Sequence, residues 1–152
     1  MLSLQDISDR LEIQDLLTDY CYAIDEKNWD ALDDIFTADA HIDYTETGGA
    51  KGSLSEIKNY LPRALEQFEN SQHMIATTKL KITGDTATAK SICFNPMNPK
   101  RDDDPVTFFV GLWYVDELVR TEKGWRISKR HEALSYFHNL PADFAAIDPE
   151  TS

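Results

Sequence analysis

Residues 20–36 read YCYAIDEKNWDALDDIF, and the fold turns on how this stretch is parsed. Upstream of it, Leu4, Ile7, Leu11, Leu17, Cys21 and Ile24 recur at helical spacing, which predicts a helix from about Leu4 to Asp25. Its apolar stripe ends on a carboxylate, Asp25. Unpaired carbonyls at a helix C-terminus already carry partial negative charge, so an ionised Asp is disfavoured there by about a few tenths of a kcal/mol. The stretch NWDALDDIF predicts a second, shorter helix, with Asn28 as its cap and Trp29, Leu32, Ile35 and Phe36 on the buried side. HIDY then alternates as a strand, with Ile42 and Tyr44 on one face and His41 and Asp43 on the other. Gly48-Gly49 breaks it. Ser53 and Glu56 stand at capping-box spacing and open a third helix through Ile57, Tyr60, Leu61, Leu65 and Phe68, in which Pro62 predicts a kink or a split.

From His73 onward the chain is strand-rich. HMIATTKLKI and TATAKSICF flank a turn at Thr83-Gly84-Asp85, and VTFFVGLWYVDELV and WRISKRHEALSYF flank one at Glu122-Lys123-Gly124. Gly-containing turns between β-rich runs predict antiparallel hairpins. In the first run His73 shares a face with Ile75, Thr77 and Lys79 by strict alternation, whereas Leu80 and Ile82 fall on the other; a bulge or burial on both sides reconciles them. VTFFVGLWYV is apolar at every other position and between, which predicts a central strand covered on both sides. Helices first and strands after give an α+β class. The expected architecture is one domain over residues 1–140, a curled antiparallel sheet of four long strands plus HIDY closing as a cone over three helices, with a pocket inside and a tail over 141–152.

Lys and Arg number 15 against 27 Asp and Glu, a net charge of −12. Such a surface repels phosphate backbones and anionic lipid, so neither nucleic acid nor membrane is an expected partner. The one basic cluster, Lys129-Arg130-His131, is too short to alter that and reads as a feature of a site. No apolar run approaches the roughly 20 residues that cross a bilayer, and MLSLQDISDR has no signal-peptide pattern. Cys21 and Cys93, both in apolar surroundings, read as free thiols of a cytoplasmic protein. Without CxxC or a closely spaced His/Cys set no metal is expected, since His41-x-Asp43 and His131-Glu132 are isolated pairs.

The candidate chemistry lies in Asp25 and His73. Alone, the carboxylate could cap a turn and the imidazole could be structural. Together they form a general base, because the carboxylate fixes the ring tautomer and stabilises the imidazolium once the other nitrogen takes a proton.

Tyr20, Asp25, Tyr44 and His73, in the order helix–helix–strand–helix–strand, resemble the SnoaL-like branch of the nuclear-transport-factor-two-like cone folds. Within it the chain is similar to scytalone dehydratase, the bile acid 7α-dehydratases and hexachlorocyclohexane dehydrochlorinase. The resemblance runs from Leu4 to Phe137 and is carried by IQDLLTDYCYAIDEKNWDALDDIFTADAHIDY, His73 and KGWRISKRHEALSYF. It implies that Asp25 is the dyad carboxylate and His73 the catalytic base. Tyr20 and Tyr44 fall where phenols polarise a substrate carbonyl or orient a leaving group. A basic residue on the last strand completes such sites, and here Arg130 and His131 both qualify. Alternation with Trp125 and Ile127 favours His131; a bulge would favour Arg130. The second histidine of scytalone dehydratase has no counterpart between Ile92 and Trp113, so that substrate is not implied.

The function expected is a cofactor-independent lyase, dehydratase-like, acting on a small hydrophobic, cyclic substrate. The alternatives are a non-catalytic ligand-binding or assembly subunit of the same fold, as the small subunits of aromatic-ring dioxygenases are, and an isomerase of the ketosteroid type with a carboxylate as base. The apolar central strand also predicts a homo-oligomer, trimer or dimer.

Overall fold

In the computed structural model, residues 1–101 and 105–142 are described. The tail expected from residue 141 lies outside them after its first two residues, as do residues 102–104 of the KRDDDP loop. Helix α1 (Leu4–Asp25) opens on a capping box, with the Asp6 N–H donating to Ser3 Oγ at 3.0 Å and the Ser3 N–H to the Asp6 carboxylate at 2.8 Å. Its buried face holds Asp9, Ile13, Leu16, Leu17, Tyr20, Cys21 and Ile24. Each large aliphatic side chain buried there contributes about 1.5–3 kcal/mol. Leu4, Ile7 and Leu11 do not share that face: all three are exposed. At roughly 100° per residue they point nearly opposite to Asp9, Ile13, Leu16 and Tyr20, and the six-residue step from Leu11 to Leu17 is where the sequence pattern changes sides. Asp9 anchors the first turns instead, accepting two bonds from Arg120 at 2.6 and 2.7 Å and one from Trp125 Nε1 at 3.1 Å.

The chain leaves α1 through Lys27, which adopts φ 57°, into a 3-10 turn (Trp29–Ala31) and helix α2 (Leu32–Ile35). Asn28 occupies the cap position but its side chain makes no capping bond. Phe36, read from the sequence as the end of this helix, starts strand β1 (Phe36–Asp43). After β2 (Lys51–Ser53), helix α3 (Leu54–Ala64) opens on the expected Ser53–Glu56 box. Pro62 lies in its last turn, and the helix ends at Ala64 rather than kinking. Phe68 therefore belongs to a strand, β3 (Phe68–Ser71), followed by β4 (Met74–Thr83), β5 (Thr86–Pro99), β6 (Phe108–Thr121) and β7 (Gly124–His138).

The seven strands form one curled, unclosed sheet in the order β2-β1-β7-β6-β5-β3, with β4 also paired to β5. It is mixed, not antiparallel throughout, because β1 runs parallel to β7. The chain between them is long enough to cross over and return alongside β1 in the same direction, which a hairpin could not do. Strands β3 and β4 lie end to end along β5 and are separated only by Gln72 and His73. The α+β cone expected from the sequence is thus present, with the helices against the concave face and the core between them.

Two of the sheet's bulges bear on the candidate site. Thr77 is the extra residue in β4, and it brings Ile75, Leu80 and Ile82 to the same face. Ser128 is the extra residue in β7, between Ile127 and Lys129. Beyond it, Arg130 and Glu132 face inward and are buried. Strand β6 is central, as expected, but within this chain only one of its faces is covered: Phe108, Val110, Leu112 and Tyr114 are buried, whereas Val115 is exposed and Phe109 and Trp113 are partly so.

Candidate active site

Asp25, the last residue of α1, is held by donors that outweigh its unfavourable position on the helix. Ser71 Oγ–H donates to its Oδ1 at 2.7 Å, and the backbone N–H of His73 donates to Oδ2 at 2.7 Å. The His73 ring completes the set, with Nδ1 2.6 Å from Oδ1. Burial works to raise the Asp25 pKa, but the bonds from His73 and Ser71 prevail and hold it below the usual value. Asp25 is therefore an anion.

The break between β3 and β4 makes this contact possible. Gln72 keeps the chain tied to β5 through its N–H to the Pro96 carbonyl at 3.1 Å, while His73, outside both ladders, is free to turn its ring inward. The side chain is 7% exposed. On the far side of the ring, Asn95 Nδ2 lies 3.0 Å from Nε2. An amide N–H donating there requires Nε2 to carry the lone pair and Nδ1 the proton, which it donates to Asp25. Asn95 Oδ1 is buried and without a hydrogen bond. Turning the amide by half a rotation would place that oxygen where it accepts from Nε2–H, so Asn95 matches the neutral ring in one orientation and the imidazolium in the other.

His73 and Asn95 form one wall of an interior cavity of about 130 Å³, whose surface is mostly apolar, with Ile24, Leu61, Phe68, Met97, Phe108 and Leu112 among its residues. Its other polar groups are Tyr20, Tyr44, Tyr60, Thr47, Gln67 and Glu132. Tyr20 and Tyr44 share a hydrogen bond of 2.7 Å between their hydroxyls. Burial pushes both phenols well up, so each remains a neutral donor. Burial likewise pushes the Cys21 thiol up to about 11 and Cys93 up to about 12, which leaves neither as a thiolate nucleophile.

The structure sets Asp25 against His73, and His73, Tyr20 and Tyr44 at the same cavity. The two basic candidates on the last strand do not line it. His131 turns away from the cavity, with Nε2 2.8 Å from Glu46 Oε1 and Nδ1 3.9 Å from Asp43. Arg130 faces inward but is sealed beneath the cavity floor. Its Nε and Nη2 donate to Asp116 at 2.7 and 2.8 Å, and its guanidinium lies 4.0 and 4.1 Å from the ring centres of Tyr20 and Tyr114. Arg130 can therefore orient the Tyr20 ring without touching a guest in the cavity. The bulge at Ser128 is the reason for both placements.

Sequence reasoning passed over Asn95 and weighed Glu132 only as half of the isolated His131-Glu132 pair. Asn95 is one of the inward residues of β5, and Glu132 follows Arg130 at a spacing of two; either becomes visible once strand parity is known. Glu132 Oε2 lies 2.6 Å from Thr47 Oγ1. Burial raises its pKa, and Thr47, His73, Arg130 and Tyr114 only partly counter it.

A residue-by-residue match to the SnoaL-like domain model extends over residues 5–131. The chain belongs to the SnoaL-like domain family. The Mycobacterium tuberculosis protein Rv2910c, whose function is uncharacterised, is 49% identical over 132 residues, 87% of this chain and 89% of its own length. Among solved structures, the Kfla4162 protein of Kribbella flavida superposes with a TM-score of 0.80 at 28% identity, over 87% of this chain and 94% of that one. A hexachlorocyclohexane dehydrochlorinase from Novosphingobium barchaimii superposes with a TM-score of 0.73 at 21% identity, over 96% and 99% of the two chains. At that identity the likeness is one of fold. In this SnoaL-like cone, then, a polar cluster opens on an apolar cavity, which suits a lyase-like or ligand-binding role.

Proposed function

We propose that this SnoaL-like protein is a cofactor-independent lyase that carries out a dehydratase-like elimination on a small, hydrophobic ring compound. The observation that carries the reading is the Asp25–His73 contact of 2.6 Å at the wall of a mostly apolar cavity. In its neutral form, with Nδ1–H on Asp25, His73 takes a proton at Nε2 from the carbon next to a carbonyl. The approaching C–H displaces the Asn95 amide from that lone pair. Tyr44 or Tyr20 donates to the oxygen of the developing enolate, and the leaving group departs from the neighbouring carbon. A base so placed contributes about 10²–10⁴-fold, and an oxyanion donor about 10²–10³-fold. The likeness of fold to a dehydrochlorinase is in keeping with eliminations of this kind.

The experiment is proton exchange. Wild-type protein in D₂O should catalyse α-deuteration of cyclohexanone-type probes, read by mass spectrometry, and His73→Gln should abolish it. A ketosteroid-type isomerase working through a carboxylate base would keep the exchange in His73→Gln. A binding subunit would show none in either protein.

The bare outer face of the sheet supports a homo-oligomer, a dimer or a trimer. Ile92 and Val115 are exposed there, beside Trp113 and the stacked rings of Phe94 and Phe109. The two buried free thiols, Cys21 and Cys93, favour a reducing compartment such as the cytoplasm.

A further inference from the structure

Glu132 stands in the cavity wall on the strength of the Ser128 bulge, and no step of the elimination has yet used it. Its environment fixes its charge by counting protons. Thr47 Oγ1 lies 2.9 Å from the Tyr44 carbonyl oxygen and 2.6 Å from Glu132 Oε2. A hydroxyl has one proton, and a carbonyl oxygen can only accept. If Thr47 gave its proton to an ionised Glu132, it would face the Tyr44 carbonyl at 2.9 Å with no proton between two oxygens. If instead Thr47 donates to Tyr44, the short contact to Glu132 needs a proton from the carboxyl. Both contacts are satisfied only when Glu132 is a carboxylic acid.

Burial acts in the same direction. Glu132 is 8% exposed, and the neighbouring Arg130 turns Nε and Nη2 to Asp116, leaving Nη1 buried and without a hydrogen bond. Thr47 makes the close hydrogen bond to the carboxyl; Tyr114 and Arg130 also act to lower its pKa but do not overcome burial, in a wall that also contains His73 and the Tyr20–Tyr44 pair.

We propose that Glu132 is held as a neutral acid, its proton resting on Thr47, and that it delivers this proton to the oxygen leaving the substrate, so that the substrate is a β-hydroxy carbonyl compound rather than a halide. This rests on the elimination reading of the same cavity. In the step, the Cα–H bond breaks and its proton goes to His73 Nε2. The electron pair forms the C=C bond, and the C–O bond breaks with its pair on oxygen. The Glu132 O–H bond then breaks to complete a molecule of water. The enzyme is left with imidazolium at His73 and carboxylate at Glu132, and transfer of one proton from the first to the second restores both. A halide leaves as a stable anion and has no use for such an acid; hydroxide does.

Two measurements test this on the whole chain. The first needs no substrate: an infrared difference spectrum of wild type against Glu132→Gln should contain a protonated-carboxyl C=O stretch at neutral pH, and Thr47→Val should shift it. Absence of the band overturns the proposal whatever the protein catalyses. The second compares elimination from 3-hydroxycyclohexanone with elimination from 3-(4-nitrophenoxy)cyclohexanone, whose leaving group needs no proton. Glu132→Gln, folded by circular dichroism, should lose about 10²–10⁴-fold more on the hydroxy probe than on the aryloxy probe. Equal losses on both would overturn proton delivery by Glu132 while leaving the dyad intact. If His73→Gln retained turnover, the elimination reading itself would fail while the infrared band could persist, so the two failures are separable.

Discussion

One carboxylate, Asp25, grips His73 twice: Oδ1 meets the ring at Nδ1, 2.6 Å away, and Oδ2 takes the backbone N–H at 2.7 Å. The ring and the main chain that bears it are therefore positioned by the same anion. Asp25→Asn keeps the shape but offers one acceptor where the anion offers two, and it removes the charge that stabilises an imidazolium. Turnover should fall by about 10⁴-fold, the scale of losing the partner of a catalytic imidazole. Initial rates with an accepted ketone probe measure this, and a variant within about tenfold of wild type would count against the dyad.

The Tyr20–Tyr44 pair has two protons, one of which lies in the 2.7 Å bond between the hydroxyls. Only one is left for a guest. Replacing the phenol that donates to the enolate should lower kcat by about 10²–10³-fold with little change in KM, and replacing its partner should cost less. Parallel kinetics of Tyr20→Phe and Tyr44→Phe identify the donor. Two near-normal variants would remove both phenols from the mechanism.

Asp116 and Arg130 are both 0% exposed at their side chains, so each is the other's charge partner away from water. Asp116→Asn leaves a buried guanidinium unpaired and should destabilise the fold by about 3–5 kcal/mol. The Tyr20 and Tyr114 rings that flank Arg130 should move with it. Urea unfolding measures the first effect, and near-ultraviolet circular dichroism the second. A loss below about 1 kcal/mol would mean that the pair is hydrated.

Two carboxyls beside one cavity should titrate stability in opposite directions. The folded-state pKa of Asp25 is lowered, with burial opposing and the His73 and Ser71 bonds prevailing. Its contribution is complete above the unfolded value, about 4, and is lost as pH falls through the folded value. Glu132 is raised by burial, so its contribution is complete below about 4.3 and is lost as pH rises through the folded value. Wild type should thus lead Asp25→Asn at neutral pH and converge with it in acid, whereas Glu132→Gln should gain on wild type as pH rises. Melting curves across this range that move together for the two variants would contradict one of the assignments.

Ile92 and Val115, 45% and 39% exposed, belong to the apolar outer face formed by β5 and β6. Light scattering should give a dimer or trimer, and Val115→Lys with Ile92→Glu should shift it toward monomer without loss of helix content. A monomeric wild type would show that this face is left to water.

The bulges explain how far the sequence could be followed. Alternation located β7, and it grouped Trp125 with Ile127 correctly. One inserted residue, Ser128, then exchanged inside for outside, moving His131 away from the cavity and bringing Arg130 and Glu132 in. Such an insertion costs little locally and leaves no mark in composition. In β4 the change of parity was visible, because apolar residues lie on both sides of Thr77. The exposed Leu4, Ile7 and Leu11 show the opposite hazard, an apolar period on a helix face that the fold does not cover.

By itself, the sequence determined the α+β order, the limits of α1, the Ser53–Glu56 capping box and the hairpin turns, because each follows from local periodicity or local turn chemistry, while the resemblance to the SnoaL-like family pointed to Tyr20, Asp25, Tyr44 and His73. Tertiary structure alone decided the parallel β1–β7 pairing, the sealing of Arg130 under Tyr20 and the arrival of Asn95 and Glu132 beside His73. Those outcomes depend on register between strands tens of residues apart, where a slip of one residue inverts every side chain beyond it.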